Sequence, residues 1–306
     1  MGRGGVRIPL WLMIPALLPV LLFSLAPLVQ GVALGFTDYE LGNRQIGFAG
    51  LANYAYLLTD AQFWRSFRIG GVWTFAVTVG EVGLGLMLAM LLNARLPGQT
   101  LARVLVLAPW AIPPVITGLM WRLIYHPDAG VLNGALLSLG MIDRPIHWLT
   151  SFTYALPAVI LVGIWASLPT TTVVLLAGLQ SIPMEIREAA AIDGAGGWGQ
   201  FRHVTLPLMK PVILSIGALQ AMWNFNSFGL VFILTEGGPA GSTRLPMLFA
   251  YEEAFMFGNL AYASALGTAM VLIIGLFMVV YMRSQFRDAQ AGAGARTAPT
   301  RPPVSR

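Results

Sequence analysis

The chain has 306 residues, of which 57% are hydrophobic and only 10% are charged, and its mean hydropathy is +0.72. Soluble domains carry about 25% charged residues, so this composition is typical of a membrane protein. The lack of cysteine in the sequence excludes disulfides, thiol nucleophiles and cysteine-based metal sites. The net charge is +5, but the basic residues follow the loops rather than one amphipathic face, so we expect no nucleic-acid partner.

Six stretches are long and apolar enough to cross a bilayer, which takes about 20 helical residues. We therefore predict an all-α, polytopic membrane protein. A cytoplasmic N-terminus at 1–8 precedes a transmembrane domain at 9–283. A disordered cytoplasmic tail is expected at 284–306, because its Ala, Gly, Pro and Arg residues cannot bury a core. The predicted spans are 9–35, 67–93, 101–125, 151–180, 207–235 and 261–283.

The basic residues indicate the orientation of these spans. With both termini inside, twelve of the 18 Lys and Arg residues lie on the inside, whereas eight of the 13 acidic residues lie outside. The positive-inside rule therefore predicts cytoplasmic termini. The segment between spans four and five then faces the cytoplasm, and the tail arginines lie near anionic lipid head groups.

A charged insert at 181–207 separates spans four and five. Each of its ions would cost about 2.5–3.5 kcal/mol at the bilayer centre, so it must leave the membrane. Ser181 is a possible N-cap, Gly194 lies where a helix C-cap is expected, and Pro207 opens the next span. The sequence predicts a helix, a glycine-rich corner and a second short helix across the cytoplasmic surface. A docking element and an ordinary interfacial amphipathic loop both fit this pattern.

The insert contains a spaced pattern that resembles the EAA signature of importer permeases of the ATP-binding-cassette (ABC) type. The EAA tripeptide is followed by three residues, a glycine, nine residues and a hydrophobic-x-Leu-Pro end, with valine where the family has isoleucine. The stretches LAPWAIPPVITGLMWRLIYHPDAGVLN and WNFNSFGLVFILTEGGP are similar to the first permease subunit of maltose-like and glycerol-phosphate-like importers. The residues that carry the signature are Glu188, Ala189, Ala190, Gly194, Val204, Leu206 and Pro207.

The resemblance implies a type I ABC importer permease fold and a half-pore in a bacterial-type inner membrane. It also implies a second permease subunit, two cytoplasmic ATPases, an extracytoplasmic solute-binding protein and a carbohydrate solute. The chain contains no G-x-x-x-x-G-K-[ST] and its one lysine is Lys210, so we expect it to bind no cofactor, with ATP and Mg on the partner ATPase. Carried over from the family, the residues that dock on the ATPase are Glu188, Ala189, Ala190, Asp193 and Gly194.

The predicted solute pathway lies on span five. Gln220, Asn224 and Ser227 fall at i, i+4 and i+7, which places them on one helical face, and amides suit sugar hydroxyls because they donate and accept hydrogen bonds. By resemblance, Ser167 and Thr170 of span four join them, although the maltose relative has an aromatic residue at the position of Thr170. Hydrogen bonding between helices is the alternative role for this face.

Several other features have open alternatives. Glu81, near the centre of span two, either takes part in proton coupling or packs against a polar neighbour. Small residues from Ala261 to Gly267 pack against either the partner permease or a neighbouring span. Pro113 and Pro114 either bend span three rigidly or form a gating hinge. The three histidines lie in separate loops without metal-ligand spacing, so we assign no metal, and we find no catalytic constellation.

Two other classes compete with the importer subunit. An ion-coupled secondary transporter would use Glu81 and the polar face of span five, but it has no need of the EAA pattern. A membrane enzyme ranks last, because no nucleophile–base pair is evident. The solute itself stays open among sugars and glycerol phosphate, and the absence of an arginine in the middle of a span favours a neutral sugar.

Overall fold

A computed structural model describes residues 14–43, 45–94 and 97–296. Within these residues the backbone is almost entirely helical, and the β pairing consists of an isolated bridge between Thr37 and Phe48. The predicted all-α class is confirmed. The α-helices are, in chain order, α1 (Ile14–Val20), α2 (Ala26–Leu34), α3 (Ala52–Thr59), α4 (Ala61–Asn93), α5 (Gln99–Leu107), α6 (Pro114–Ile124), α7 (Val131–Ser138), α8 (Ala155–Gln180), α9 (Met184–Ile192), α10 (Gly197–Gln200), α11 (Leu206–Phe225), α12 (Gly229–Thr235), α13 (Pro246–Tyr251) and α14 (Leu260–Arg296).

Helical segments at all six predicted positions are long and apolar enough to cross a membrane, if one bent pair is taken as a single span. The pair is formed by Gln99–Ala111 and Pro114–Ile124. The other five spans in the described part of the chain are Leu17–Leu34, Ala61–Asn93, Ala155–Gln180, Gly197–Phe225 and Leu260–Arg283.

Span three is broken more sharply than the bend we expected from Pro113 and Pro114. Its two halves differ in direction by 103°. A 3-10 turn at Ala108–Ala111 ends the first half, and Ile112 and Pro113 then adopt extended ψ angles of 122° and 142°. A proline disfavours the helical conformation for the residue before it and supplies no N–H, so two consecutive prolines end one helix and begin another.

Span five differs from the prediction at both of its ends. The continuous helix runs over Gly197–Phe225 rather than 207–235. Pro207 therefore lies inside it, next to a π-helical turn at Phe201–Thr205, and the expected second short helix of the insert is the beginning of this span. The wider turn is a common place for a helix to absorb a proline. After Phe225 the chain leaves the helix and α12 follows separately.

The last helix also extends beyond its predicted end. α14 continues to Arg296, although disorder was expected from residue 284 onward, and 297–306 lie outside the described residues. Extending an existing helix requires no new nucleus, and the alanine and glutamine residues after Arg283 favour the helical state.

The described residues divide into two compact units, of which the first comprises 14–43, 45–65 and 246–272. In this unit the Ala261 N–H donates to the Tyr39 carbonyl at 3.0 Å. Ala261 and Ala265 are buried, and a Cβ on Gly35 would lie 3.3 Å from the Ala265 nitrogen. Here the small residues of span six pack within their own chain, which favours the neighbouring-span alternative for these two alanines.

The second unit comprises the described residues 66–94, 97–245 and 273–296 and contains both candidate sites. α4 and α8 approach closely in it, because glycines stand at the contact. A Cβ on Gly163 would lie 2.6 Å from the Trp73 ring, and one on Gly85 would lie 3.1 Å from the Thr171 methyl group. Small residues at such contacts are typical of helices packed in membranes.

Candidate functional site

The insert between spans four and five contains an ordered helix with a defined end. α9 stops at Ile192, and Gly194 follows with φ +80°. The Gly194 N–H donates to Ala191 at 3.1 Å and the Ala195 N–H donates to Ala190 at 2.9 Å. These two bonds form a Schellman motif, which requires a left-handed residue and favours glycine. The predicted C-cap region at Gly194 is confirmed by this geometry.

The beginning of the insert differs from the prediction. Ser181 is not the N-cap of α9, because its hydroxyl donates to the Gly178 carbonyl at 2.7 Å and closes the end of α8. Pro183 occupies the N-cap position without a side-chain cap. Arg187 reaches back to donate to the Leu179 carbonyl at 2.9 Å. Since these contacts tie α9 to the end of α8, the insert is held as a fixed element.

The predicted docking residues lie at the surface of the insert. Glu188, Ala189, Asp193 and Gly194 are exposed, and Ala190 is half-buried. Large apolar side chains are exposed beside them: Ile192 is 86% exposed, Trp198 is 71% exposed and Met184 is 64% exposed. A cavity of about 430 Å³ opens beside Glu188 and Arg187. A solvated loop has no need of such an apolar surface, which is typical of a protein contact.

A second polar site lies inside the helices. Glu81 of α4 is 0% exposed. Its two carboxylate oxygens accept hydrogen bonds from Asn224 Nδ2 at 2.9 Å and Gln220 Nε2 at 3.1 Å, both from α11. The hydroxyls of Ser167 and Thr171 on α8 also hydrogen-bond to it. These five side chains, here called the Glu81 cluster, join three helices. Of the two alternatives for Glu81, packing against polar neighbours is what the structure shows.

The predicted pathway residues separate into two groups. Gln220, Asn224 and Ser167 belong to the Glu81 cluster, where the two amides are buried and directed at Glu81. Ser227 does not share their helical face, because α11 ends at Phe225 and Ser227 lies in the break before α12. Ser227 and Thr170 are half-buried. The prediction of one continuous face is therefore wrong at Ser227.

Sequence reasoning missed three residues of this site. Asn224 Nδ2 also donates to the Thr78 hydroxyl at 3.0 Å, and Gln220 Nε2 donates to Thr171 at 2.6 Å. The Trp73 indole donates to the Asn224 carbonyl at 3.0 Å. One signal was available: Thr78 is three residues before Glu81, so both lie on one helical face. A buried carboxylate needs nearby donors, and the face of Glu81 was the place to seek them.

An all-α fold with six candidate membrane spans, one of them a bent pair, and a structured insert between spans four and five indicates a multi-pass membrane protein. The profile of the family described as binding-protein-dependent transport system inner membrane component matches residues 81–287. The chain belongs to this family. The matched region includes both the Glu81 cluster and the insert.

Similar proteins cover nearly the whole chain. A probable ABC transporter permease of Brucella suis is 37% identical over 284 residues, which are 93% of this chain and 98% of the relative. The trehalose/maltose transport system permease protein MalF of Thermococcus litoralis is 33% identical over 272 residues, 89% of this chain and 91% of its own. A chain in the crystal structure of a bacterial alginate ABC transporter, with a pentasaccharide-bound periplasmic protein, superposes with a TM-score of 0.76 at 22% identity, covering 89% of this chain and 93% of its own. This last likeness concerns the fold.

Proposed function

We propose that the chain is one of two permease subunits of an ATP-driven, binding-protein-dependent sugar importer and that it forms half of the translocation pathway. Membership of the inner-membrane component family and the likeness to a trehalose/maltose permease support this function. The observation that carries it is the insert, since a fixed helix with exposed apolar and acidic residues stands where a driving subunit would bind.

The insert couples this subunit to the ATPase through Glu188, Ala189, Ala190, Asp193 and Gly194. The two alanines let another surface approach the helix closely, and Glu188 offers a carboxylate beside the cavity that a partner side chain could enter. The exposed Ile192 and Trp198 add apolar area, whose removal from water favours binding. Gly194 fixes the turn that presents this surface.

The remaining partners follow from the same proposal. A second permease completes the pathway, a pair of cytoplasmic ATPases binds ATP and Mg, and an extracytoplasmic solute-binding protein delivers the sugar. Both termini lie in the cytoplasm, as the distribution of basic residues predicts. The solute contacts Thr170 and Ser227, the two predicted pathway residues that lie outside the Glu81 cluster, while Ser167, Gln220 and Asn224 hold the neighbouring helices together.

The ion-coupled alternative depended on an available carboxylate in span two. Both oxygens of Glu81 accept hydrogen bonds from the amides of α11. A proton carrier must exchange its proton with water, whereas Glu81 is fully buried. The Glu81 cluster therefore favours a structural role, and no second function is proposed.

The test is uptake by the complete complex in proteoliposomes, with its binding protein outside and ATP inside. We expect accumulation of a sugar from a panel of glucose, maltose, trehalose and raffinose, and none with an ion gradient but no ATP. Glu188→Ala should reduce uptake about tenfold if the contact contributes about 1.4 kcal/mol. Glu185→Ala, an exposed carboxylate on the same helix, is the matched control and should leave uptake unchanged.

Co-purification of the ATPase with each variant separates coupling from folding. Normal expression with loss of ATPase in Glu188→Ala alone supports docking through the insert. Full uptake by Glu188→Ala would contradict the docking role of this residue. Uptake driven by an ion gradient without ATP would contradict the proposed function as a whole.

A further inference from the structure

A preformed cavity lies at the C-terminal ends of α6 and α12. None of the residues of the Glu81 cluster or the insert lines it. Its volume is about 320 Å³, near the lower end of the range for small-molecule sites. Its wall includes Arg122, His126, His147 and Glu236, which are exposed, and the aromatic rings of Tyr125 and Trp148. The sequence places His126 and His147 in separate loops, but the structure brings them to one wall.

The wall is held by hydrogen bonds that do not depend on a ligand. Asn133 is buried and donates to the carbonyls of Pro127 and Ile146, both at 2.9 Å. Its oxygen accepts from the Trp148 indole at 2.9 Å. The Tyr125 hydroxyl donates to the Ala158 carbonyl at 3.1 Å. Because both aromatic side chains use their polar atoms elsewhere, the half-buried Trp148 ring presents apolar surface to the cavity, and the buried Tyr125 ring packs behind it.

Another residue of the cavity wall has a strained backbone. Glu236 ends α12 with φ +51°, a left-handed conformation that is rare for a residue with a Cβ. Its N–H donates to Phe232 at 3.0 Å, and the neighbouring Thr235 hydroxyl bonds to Thr243 at 2.7 Å. Strained residues of this kind cluster at ligand sites.

The polar groups of the cavity include hydrogen-bond donors and acceptors, and charges of both signs. Arg122 donates, and the Glu236 carboxylate accepts. His126 Nδ1 accepts the Ala129 N–H at 3.1 Å, so the neutral ring carries its proton on Nε2 and donates there. An anion would meet Glu236 and a cation would meet Arg122, whereas a neutral ligand rich in hydroxyls satisfies both. The Trp148 ring, whose centroid lies 5.9 Å from that of the buried Tyr125 ring, suits the apolar face of a sugar.

We propose that this cavity is an extracytoplasmic binding site for one ring of the transported sugar, occupied between release from the binding protein and entry into the pathway. The inference rests on the proposed function. The distribution of basic residues places these loops outside the cell, and the volume is appropriate for a single ring rather than an oligosaccharide. Arg122 and Glu236 select hydroxyl groups, and Trp148 supplies the surface against which the ring packs.

The absence of native cysteine permits a direct test by site-specific labelling. His147→Cys and Thr150→Cys place thiols on the cavity wall, and Asp143→Cys, an exposed position in the same loop but outside the wall, is the matched control. The complete complex, with partner subunits made cysteine-free, is labelled with a membrane-impermeant maleimide in right-side-out proteoliposomes. The probe is the sugar of the uptake panel that the wild-type complex accumulates, compared with glycine at equal osmolality.

At about ten times the Kd, about one site in eleven is free, so we expect the sugar to slow labelling of both wall thiols about tenfold and to leave Asp143→Cys unchanged. Unprotected labelling of the wall thiols in a complex that imports the sugar would overturn the inference while leaving the proposed function intact. Protection by the binding protein without sugar would overturn it in favour of a protein-docking surface. Failure to accumulate any sugar of the panel would overturn the proposed function and this site with it.

Discussion

The Glu81 cluster and the insert between spans four and five differ in which side chains they bury. In the cluster, polar groups are buried and each oxygen of Glu81 has a donor from another helix. In the insert, Ile192 and Trp198 are apolar and largely exposed. The cluster is complete within one chain, whereas the insert leaves apolar area in contact with water.

This difference indicates where a partner is needed. A buried polar group is costly unless it is hydrogen-bonded, so a fully bonded cluster has little left to offer a ligand. Exposed apolar area has the opposite tendency and gains free energy when another surface covers it. The polar residues inside the spans therefore hold the helices together, and we propose that the exposed apolar residues of the insert form the surface for association.

The largest effect should come from removing the centre of the cluster. We expect Glu81→Leu to lower the stability of the detergent-solubilised subunit by about 3 kcal/mol, because the amides of Gln220 and Asn224 would be left buried without their acceptor. Glu81→Gln keeps a hydrogen-bonding side chain of the same size and should cost less than half as much. Thermal unfolding, monitored by circular dichroism, measures both.

Equal losses of stability in the two Glu81 variants would show that charge rather than hydrogen bonding holds the cluster. Uptake provides a second measurement. If Glu81→Gln folds normally but loses all uptake, the carboxylate itself takes part in transport. The role of the Glu81 cluster would then not be only structural.

How much of this could be predicted differs between the two regions. The insert follows from local signals: charge excludes it from the bilayer, and Gly194 marks the end of its helix. The cluster depends on contacts between distant segments, since Glu81 and Asn224 are 143 residues apart. Periodicity places Gln220 and Asn224 on one face, but it cannot tell whether that face meets a pore or another helix.

The errors at helix ends have a related cause. The sequence around Pro207 suggests a helix start, but a π turn accommodates the proline inside a longer helix. The apolar residues after Phe225 continue the pattern of a span although the helix has ended. The composition of a segment indicates whether it lies in lipid or in water, whereas a helix break depends on backbone geometry. For this reason the prediction placed Ser227 on a helical face that it does not share.

An intermediate effect is expected at the turn of the insert. Gly194 and Gly196 are both exposed, and a Cβ at either position would meet nothing within 4 Å. They differ in backbone conformation, with φ +80° at Gly194 and −64° at Gly196. Gly194→Ala should therefore destabilise the insert by about 1–2 kcal/mol and reduce sugar-stimulated ATPase activity, and Gly196→Ala should leave that activity unchanged. Similar activities in the two variants would show that the turn does not govern coupling.

The smallest effect is expected at the end of span five. Two substitutions there distinguish a residue that stabilises the fold from one that contacts the sugar. Asn224→Ala removes bonds to Glu81 and Thr78, so it should lower both stability and uptake. Ser227 is half-buried outside the Glu81 cluster, and Ser227→Ala should change stability by less than about 0.5 kcal/mol. If its hydroxyl contacts the sugar, the loss of one hydrogen bond of about 0.5–1.5 kcal/mol should reduce uptake by roughly two- to tenfold. Uptake at several sugar concentrations, together with a melting curve, distinguishes the two variants. Unchanged uptake in Ser227→Ala would show that the Ser227 hydroxyl does not contact the sugar. The substitution is expected to have little effect on stability, so no structural change would hide the loss of such a contact.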